Sequence, residues 1–564
     1  MKRDLISGGE ALLRSLMNEN VDTIFGYPGG SIIPVFDSLY DYRDVFHQVL
    51  VRHEQAAVHA AQGYARSSGK VGVCIVTSGP GATNTITGIS DAMLDSTPIV
   101  VIAGQVSSAV LGTDAFQEID LVGVTQPISK WSYQVRSAED VAWAVSRAFY
   151  IASSGRPGPV VLDFTKNAQV AKILYEPVKV DSVRSYVPYP APNMDRIKEA
   201  ADLINRAKRP FALVGQGVEL GNAHKELTDF LEKGNIPAAR TLLGLSALSS
   251  EHPLCMGMLG MHGNLGPNVN TNECDVLIAI GMRFSDRVTG NFDTYAKQAK
   301  IIHLDIDKVE LDKNIPVDIP VLGDCKETLP LITELIDKGD HKDWIGSFAN
   351  YDNVEREKVI EKALAPKDGP ILMGEVARKV SEATDNSAIL VTDVGQNQMF
   401  AARYFKYKLP HSIITSGGLG TMGFGLPAAM GATMGAPDRI VCYFSGDGGF
   451  QMNMQELGTI MEQKCPVKMV VLDNNYLGMV RQWQYLFYEN RTSFTPMCNP
   501  DFCKIAQAYG IPTRFVSDRN ELDAAIKEMI ETPGAFLLNV AVKAEDNVMP
   551  MMPLGASVCD MILE

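Results

Sequence analysis

The stretch "SGDGGFQMNMQELGTIMEQKCPVKMVVLDNNY", residues 445–476, decides the fold. An apolar run, "IVCYF", leads into a Gly-Asp-Gly-Gly turn at 446–449. A helical pattern follows, and a second apolar run ends in Asp473-Asn474-Asn475. Short apolar runs alternating with helical periodicity mark a parallel sheet wound with helices. At the end of such a strand the turn N–H groups and the following helix start converge on an anion site. Asp447 puts a carboxylate in that spot, which is unfavourable unless a cation lies between it and the anion. A magnesium ion bridging a diphosphate meets this condition, because it takes oxygen ligands from few protein groups plus phosphate oxygens. Asn474, at the neighbouring strand end, offers a neutral oxygen, and a backbone carbonyl in the loop beyond offers another. An Asx turn with no metal is the alternative for any single Asp-Gly.

Outward from this stretch the pattern repeats. "TIFGYPG", "VGVCIVTSGPG", "PIVVIAGQV" and "GPVVLDF" read as strands separated by helices. "VCIVTSGPGATNTITGISDAMLDSTPIVVIAGQ" parallels the opening stretch as strand, Ser-Gly-x-Gly turn, helix, proline and strand, which reads as a duplication. Pro80 stands in this copy where the other has Asp447. A middle set, "PFALVGQGV", "CDVLIAIGMRFSDR", "AKIIHLDID" and "IPVLGD", is again α/β. Its Gly-Gln-Gly strand end is read either as a tight turn or as part of a nucleotide cradle. Two stretches read as linkers: the Pro-rich 174–195, and the charged 337–370 with a helix inside it. Three doubly wound parallel-sheet α/β domains follow, at 1–175, 190–340 and 365–550. The N-terminus is read as helical from its first residues.

The chain has 564 residues and a net charge of −15, which argues against nucleic acid or an anionic membrane as the main partner. Nine cysteines are scattered without a CxxC pair and read as reduced thiols. No run reaches the ~18 apolar residues of a membrane span, and no leader pattern is present. A cytoplasmic, prokaryotic protein is expected.

"GDGGF…VVLDNN" resembles the thiamine-diphosphate motif. In that family the metal-binding asparagine lies 27 residues after the aspartate, which selects Asn474 over Asn475. The resemblance then makes Tyr476 the carbonyl ligand, and Asp473 departs from the usual first member of the pair. Across the whole chain, "FGYPGGSIIPVFDSLY", "RHEQAAVHAAQGYAR", "TSGPGATNTITGI", "GTDAFQE", "GRPGPV", "GMHG", "RFSDRVTG", "GGLGTMGFGLPAA" and "GMVRQWQYLFY" resemble the catalytic subunit of the acetohydroxyacid (acetolactate) synthase family. The resemblance implies decarboxylation of pyruvate and its joining to a second pyruvate or to 2-oxobutyrate.

It also implies roles. Glu54, at the start of a helix, activates the cofactor. Tyr27, Pro28, Gly29, Pro80 and Asn84 line its pyrimidine. Gly420 and Met422 hold it bent. Gln396, Asn397 (usually His, though an amide can still donate) and Gln398 meet its diphosphate, and Gly446, Gly448, Gly449 and Met479 also bind the cofactor. Phe116, Gln117 and Lys130 face the substrate, with Gly29, Gln117 and Lys130 counted with Glu54 in the catalytic set, and Trp483 meets the second 2-oxo acid. "RFSDRVTG", with Ser285 where the family has Asp, marks the flavin-binding branch. FAD is then expected among Arg156, Gly215, Gly217, Met261, His262, Gly281, Arg283, Arg287, Asp305 and Asp324. Glu54 and Asp447 fall in different domains, and in the family they come from different subunits. A homodimer or homotetramer with sites at the subunit interface is implied, together with a small regulatory subunit.

Overall fold

A computed structural model describes residues 5–366 and 368–564. It contains three parallel six-stranded sheets and one antiparallel pair. The first sheet holds Thr23–Tyr27, His47–Leu50, Gly72–Val76, Ile99–Gln105, Trp131–Val135 and Val160–Thr165. The third holds Ile389–Thr392, Ile413–Ile414, Val441–Gly446, Val467–Asp473, Thr513–Val516 and Phe536–Ala541. Numbered in chain order within each sheet, both run 2-1-3-4-6-5. This identity of strand order is what the duplicated sequence pattern predicts. The middle sheet holds Pro210–Val214, Ala238–Arg240, Cys255–Met258, Val276–Ile280, Lys300–Asp305 and Ile319–Leu322. It runs 3-2-1-4-5-6, the dinucleotide-binding order, whose ligand crevice lies where the order reverses, between strands 1 and 4.

Strands such as "VCYF" are buried on both faces, as parallel strands covered by helices must be. The first and third units meet through two helices, Glu54–Ser68 and Gly425–Gly435. Residues 425–433 are all buried, the behaviour of a helix that is apolar all round. The backbones nearly touch. A Cβ on Gly63 would lie 1.9 Å from the Ala428 carbonyl oxygen, and one on Gly431 1.9 Å from that of Ala60. No side chain fits at either place.

The structure departs from the sequence reading at both ends. Residues 1–4 of the expected N-terminal helix lie outside the described residues. Leu5–Ser7 is a strand, paired antiparallel with Lys172–Leu174, and the helix starts at Gly8, capped by Ser7. At the other end the chain returns to the middle unit. Met552 N donates to Met261 O at 2.8 Å, and Met551, Met552 and Val558 are buried in one cluster with Phe211 and Phe348.

Candidate active site

The Gly-Asp-Gly-Gly turn opens a small cavity of about 60 Å³. Gly446–Gly449, Asn474, Tyr476, Met479, Met422, Gln396 and Asn397 line it. Asp447 is 1% exposed and Asn474 4%. Asp447 accepts from Gly448 N at 2.9 Å and from Asn499 Nδ2 at 2.7 Å. The same Asn499 nitrogen lies 2.9 Å from Asp473 Oδ1. Burial pushes Asp447 up to about 6 against the Asn499 hydrogen bond, and Asp473 pushes the same way. Two carboxylates thus share one amide donor, as expected of a place that favours a cation. Asn474 Oδ1 accepts from Tyr476 N at 3.1 Å, while its Nδ2 is buried without a partner. Gln396 Oε1 is likewise buried and unpartnered, its amide nitrogen being held by Gln482 and the Asp546 carbonyl. Buried polar atoms left unsatisfied are uncommon and call for a ligand or water. A magnesium ion with a diphosphate fits this donor set.

A second cavity, about 770 Å³, adjoins it; Met422, Met479 and Val480 line both. It runs from the Gly420–Met422 loop and Trp483 into the middle unit. There it meets Gly217 after the first strand and Gly281 after the fourth, the two strands at the switch point. A Cβ on Gly217 would lie 2.6 Å from Gly281 Cα, so side chains are excluded where the turns cross. Arg156, Met261, His262, Arg283, Arg287, Asp305 and Asp324 also line the cavity. His262 is buried with Nδ1 unpartnered. Burial, helped by Arg403 and Arg287, pushes it down to about 3, so the ring is neutral. Burial pushes Asp305 up to about 7. Arg156 Nη1 is taken by Glu310 at 2.6 Å and Asp307 at 3.2 Å. Cavity size, switch-point position and the unpartnered His262 nitrogen fit FAD.

Glu54 begins its helix behind the N-cap His53. Its Oε2 accepts from Asn84 Nδ2 at 2.9 Å. The turn before it is tied to the third unit, because Arg52 N donates to Glu456 at 2.9 Å. Gln117 holds a left-handed φ of 63° against Gly79, a strained state that concentrates at functional sites. Tyr27, Pro28, Pro80 and Phe116 are exposed beside this group, and Phe116 is 87% exposed. None of them, nor Glu54, lines either cavity.

Four expected site residues are placed or engaged differently from the expectation. Lys130 does not face a channel: its ammonium donates to the carbonyls of Ile151 and Ser154 and to Tyr186 Oη. The lysine near Gly29 is Lys166, 3.4 Å from Gly30 O, and its signal was only its place just after the last strand of the first sheet. Asn397 lies in the small cavity, but its amide nitrogen is occupied by the carbonyls of Asp393 and Phe444. Gln398 lines the large cavity, not the small one, and is fastened to Thr415 and Ser416. Gly215 does not line the large cavity; a Cβ there would strike Gly281 O at 2.2 Å, so it serves packing.

The sequence reading also missed a buried polar hub under the Gly420–Met422 loop. Asp91 accepts from Ser416 Oγ, and from Thr421 Oγ1 at 2.9 Å. Asp95 accepts from Gly417 N at 2.9 Å, Gly418 N at 2.7 Å and Arg66 Nη2 at 2.9 Å. Arg66 Nη1 donates to Thr415 O at 2.6 Å, and Gln216 of the middle unit donates to Asp95 O at 2.9 Å. All three units meet here.

Two strand-end turns, one acidic and one opening a helix, on duplicated sheets flanking a dinucleotide-type sheet, define a thiamine-dependent enzyme. Three family models match in order: thiamine pyrophosphate enzyme N-terminal TPP-binding domain over 6–124, central domain over 197–332, and C-terminal TPP-binding domain over 393–540. A probable acetolactate synthase large subunit of Methanococcus aeolicus is 44% identical, covering 99% of this chain and 95% of its own length. Acetolactate synthase isozyme 2 large subunit of Escherichia coli is 42% identical over 99% of each. The chloroplastic acetolactate synthase 2 of Nicotiana tabacum is 41% identical over 99% of this chain and 85% of its own. The chain belongs to the acetolactate synthase large-subunit family of thiamine pyrophosphate enzymes. Among the described residues no helix is long and apolar enough to cross a membrane.

Proposed function

We propose that this chain decarboxylates pyruvate on thiamine diphosphate and joins the resulting two-carbon unit to pyruvate or 2-oxobutyrate, giving 2-acetolactate or 2-aceto-2-hydroxybutyrate. This is the acetolactate synthase reaction of branched-chain amino-acid biosynthesis. The observation that carries it is the small cavity of Asp447, Asn474 and Tyr476, joined through Met422 to a larger cavity ending at Trp483, in a chain 42–44% identical to such enzymes along its length.

Asp447, Asn474 and the Tyr476 carbonyl would hold Mg²⁺, which ties down the diphosphate. Thiamine diphosphate, when bound there, would supply the carbon nucleophile and electron sink that decarboxylation of a 2-oxo acid needs. The protein has to move a proton and hold geometry. Glu54 Oε2 is fixed by Asn84, which leaves Oε1 to hold a proton at the pyrimidine ring nitrogen. Met422, at the junction of the two cavities, would pack against the cofactor and hold it in position for that proton transfer. Gln117, Gly29 and Phe116 would border the incoming acid, and Trp483, its ring 5.3 Å from that of Phe487, would receive the second one. FAD would occupy the switch-point cavity in a structural role, since the reaction has no net redox change.

Glu54 and its exposed neighbours lie outside both cavities. This supports a homodimer in which one chain's Glu54 serves the cofactor held by the other's Asp447. The Methanococcus aeolicus and Escherichia coli relatives are named large subunits, which supports a smaller regulatory partner. We read the functional units as 1–175, 190–340 and 365–550, and the location as cytoplasmic. Purified protein given pyruvate, Mg²⁺ and thiamine diphosphate should form acetolactate, and its spectrum should show bound flavin. No acetolactate would overturn the activity; a colourless active enzyme would overturn the flavin assignment.

A further inference from the structure

Behind the helix that lines the large cavity, three side chains of metal-ligand type from two units converge. Glu219 lies on the helix Gln216–Leu220, His224 begins the helix His224–Gly234, and His411 precedes the third-unit strand Ile413–Ile414. Glu219 Oε2 is 2.9 Å from His224 Nε2 and 3.3 Å from His411 Nδ1, and the three ligand atoms all lie within 4.8 Å of one another. With metal–ligand bonds of about 2.0–2.2 Å, neighbouring ligand atoms around one ion stand roughly 3 Å apart or a little more, so these spacings suit a common ion.

The outer contacts point the same way. Metal-binding histidines donate their other ring nitrogen to an oxygen, and metal-binding carboxylates are themselves hydrogen-bonded. His411 Nε2 is 3.0 Å from Asn222 Oδ1, and Glu219 Oε1 accepts from Ser246 Oγ at 2.6 Å. Glu219 Oε2 also accepts the His411 backbone N–H at 3.1 Å. Asn222 Oδ1 can only accept, so His411 Nε2 carries the ring hydrogen. In a neutral ring Nδ1 then turns a lone pair toward a buried carboxylate oxygen, which is repulsive unless a positive charge lies between them. A divalent ion between them supplies that charge.

We propose that Glu219, His224 and His411 form a binding site for a divalent ion of the zinc class, fastening the middle unit to the third. His411 lies just upstream of the Ser416–Met422 loop, so the ion would brace the approach to the cofactor site without entering the chemistry.

The test uses the full-length holoenzyme dialysed against micromolar Zn²⁺ with millimolar Mg²⁺ and thiamine diphosphate, so that the Asp447 site is filled by Mg²⁺. Elemental analysis should find one zinc per chain, and the His224→Gln/His411→Gln double variant should retain none above buffer. Equal zinc in both proteins, or none in the parent, overturns the site. Should the double variant fold poorly, Co²⁺ added to the parent holoenzyme decides. Visible d–d absorption that Zn²⁺ abolishes and excess Mg²⁺ does not supports the site; absorption abolished by Mg²⁺ assigns the ion to Asp447 and overturns it.

Discussion

Replacing Asp95 by alanine tests whether the hub beneath the Gly420–Met422 loop seats the cofactor. The Asp95 side chain is fully buried, and that of its partner Arg66 is 8% exposed. The substitution strands the guanidinium and the N–H groups of Gly417 and Gly418. Removing one member of a buried ion pair costs about 3–5 kcal/mol. Arg66 keeps the Thr415 carbonyl, and Asp91 keeps Ser416 and Thr421, so the loss should appear as an unseated loop rather than a lost fold. If the loop must be reseated on binding, apparent affinity falls by the fraction of molecules still competent. The half-saturating thiamine diphosphate concentration should rise at least tenfold, with a smaller fall in kcat at saturation. Initial rates of acetolactate formation against thiamine diphosphate, at fixed Mg²⁺, read both quantities. Asp95→Asn, which keeps an acceptor oxygen, should fall between. A folded Asp95→Ala enzyme with unchanged cofactor dependence would refute the reasoning.

Glu54→Gln should bind cofactor nearly normally and lose most turnover; unchanged activity would remove Glu54 from proton transfer. Trp483→Leu should lower the preference for 2-oxobutyrate when both 2-oxo acids compete, and an unaltered product ratio would count against its role. Glu456, raised by burial from 4.5 to about 7, binds its proton more tightly folded than unfolded. Its share of stability is therefore greatest below about 4.5, falls as pH rises to about 7, and is constant above. Glu456→Gln, whose amide oxygen in the Oε2 position can still accept from Arg52 N and Thr459 Oγ1, should flatten that decline, as measured by denaturant midpoints at about pH 5 and pH 8. A decline as steep as the parent's would show that Glu456 is not its source.

Most of what rested on local pattern was legible in the sequence, the exception being Leu5–Ser7, a strand that was read as helix. Apolar runs bounded by glycine turns become the sheet strands, and the duplicated strand–turn–helix pattern becomes two sheets of identical order. Asp447, Asn474 and Tyr476, which the motif spacing joins, do line one cavity. What escaped depended on where side chains end up. Lys130 has the charge for a substrate contact, but three oxygens hold its ammonium inside the first unit. Asn397 is in the right place with its donors spent. Asn499 reaches Asp447 from 52 positions away, and Asp91 and Asp95 reach Ser416 and Gly417 from more than 300. No periodicity announces a carboxylate whose partner lies so far along the chain. The return of residues 549–558 to the middle unit was hidden for the same reason.

The close packing of the helices that carry Gly63 and Gly431 has a further consequence. Their helices occupy equivalent places, each following the second strand of its own sheet, and each begins beside a working loop, one with Glu54 and the other with Gly420 and Met422. The two copies of the fold therefore touch at matching points, as twin subunits do across an axis. A chain of this kind carries an inherited symmetry that its side chains have since broken, proline at one turn and aspartate at the other. Variation can specialise the rims of the two copies independently. At the seam, a substitution on either copy is felt by both.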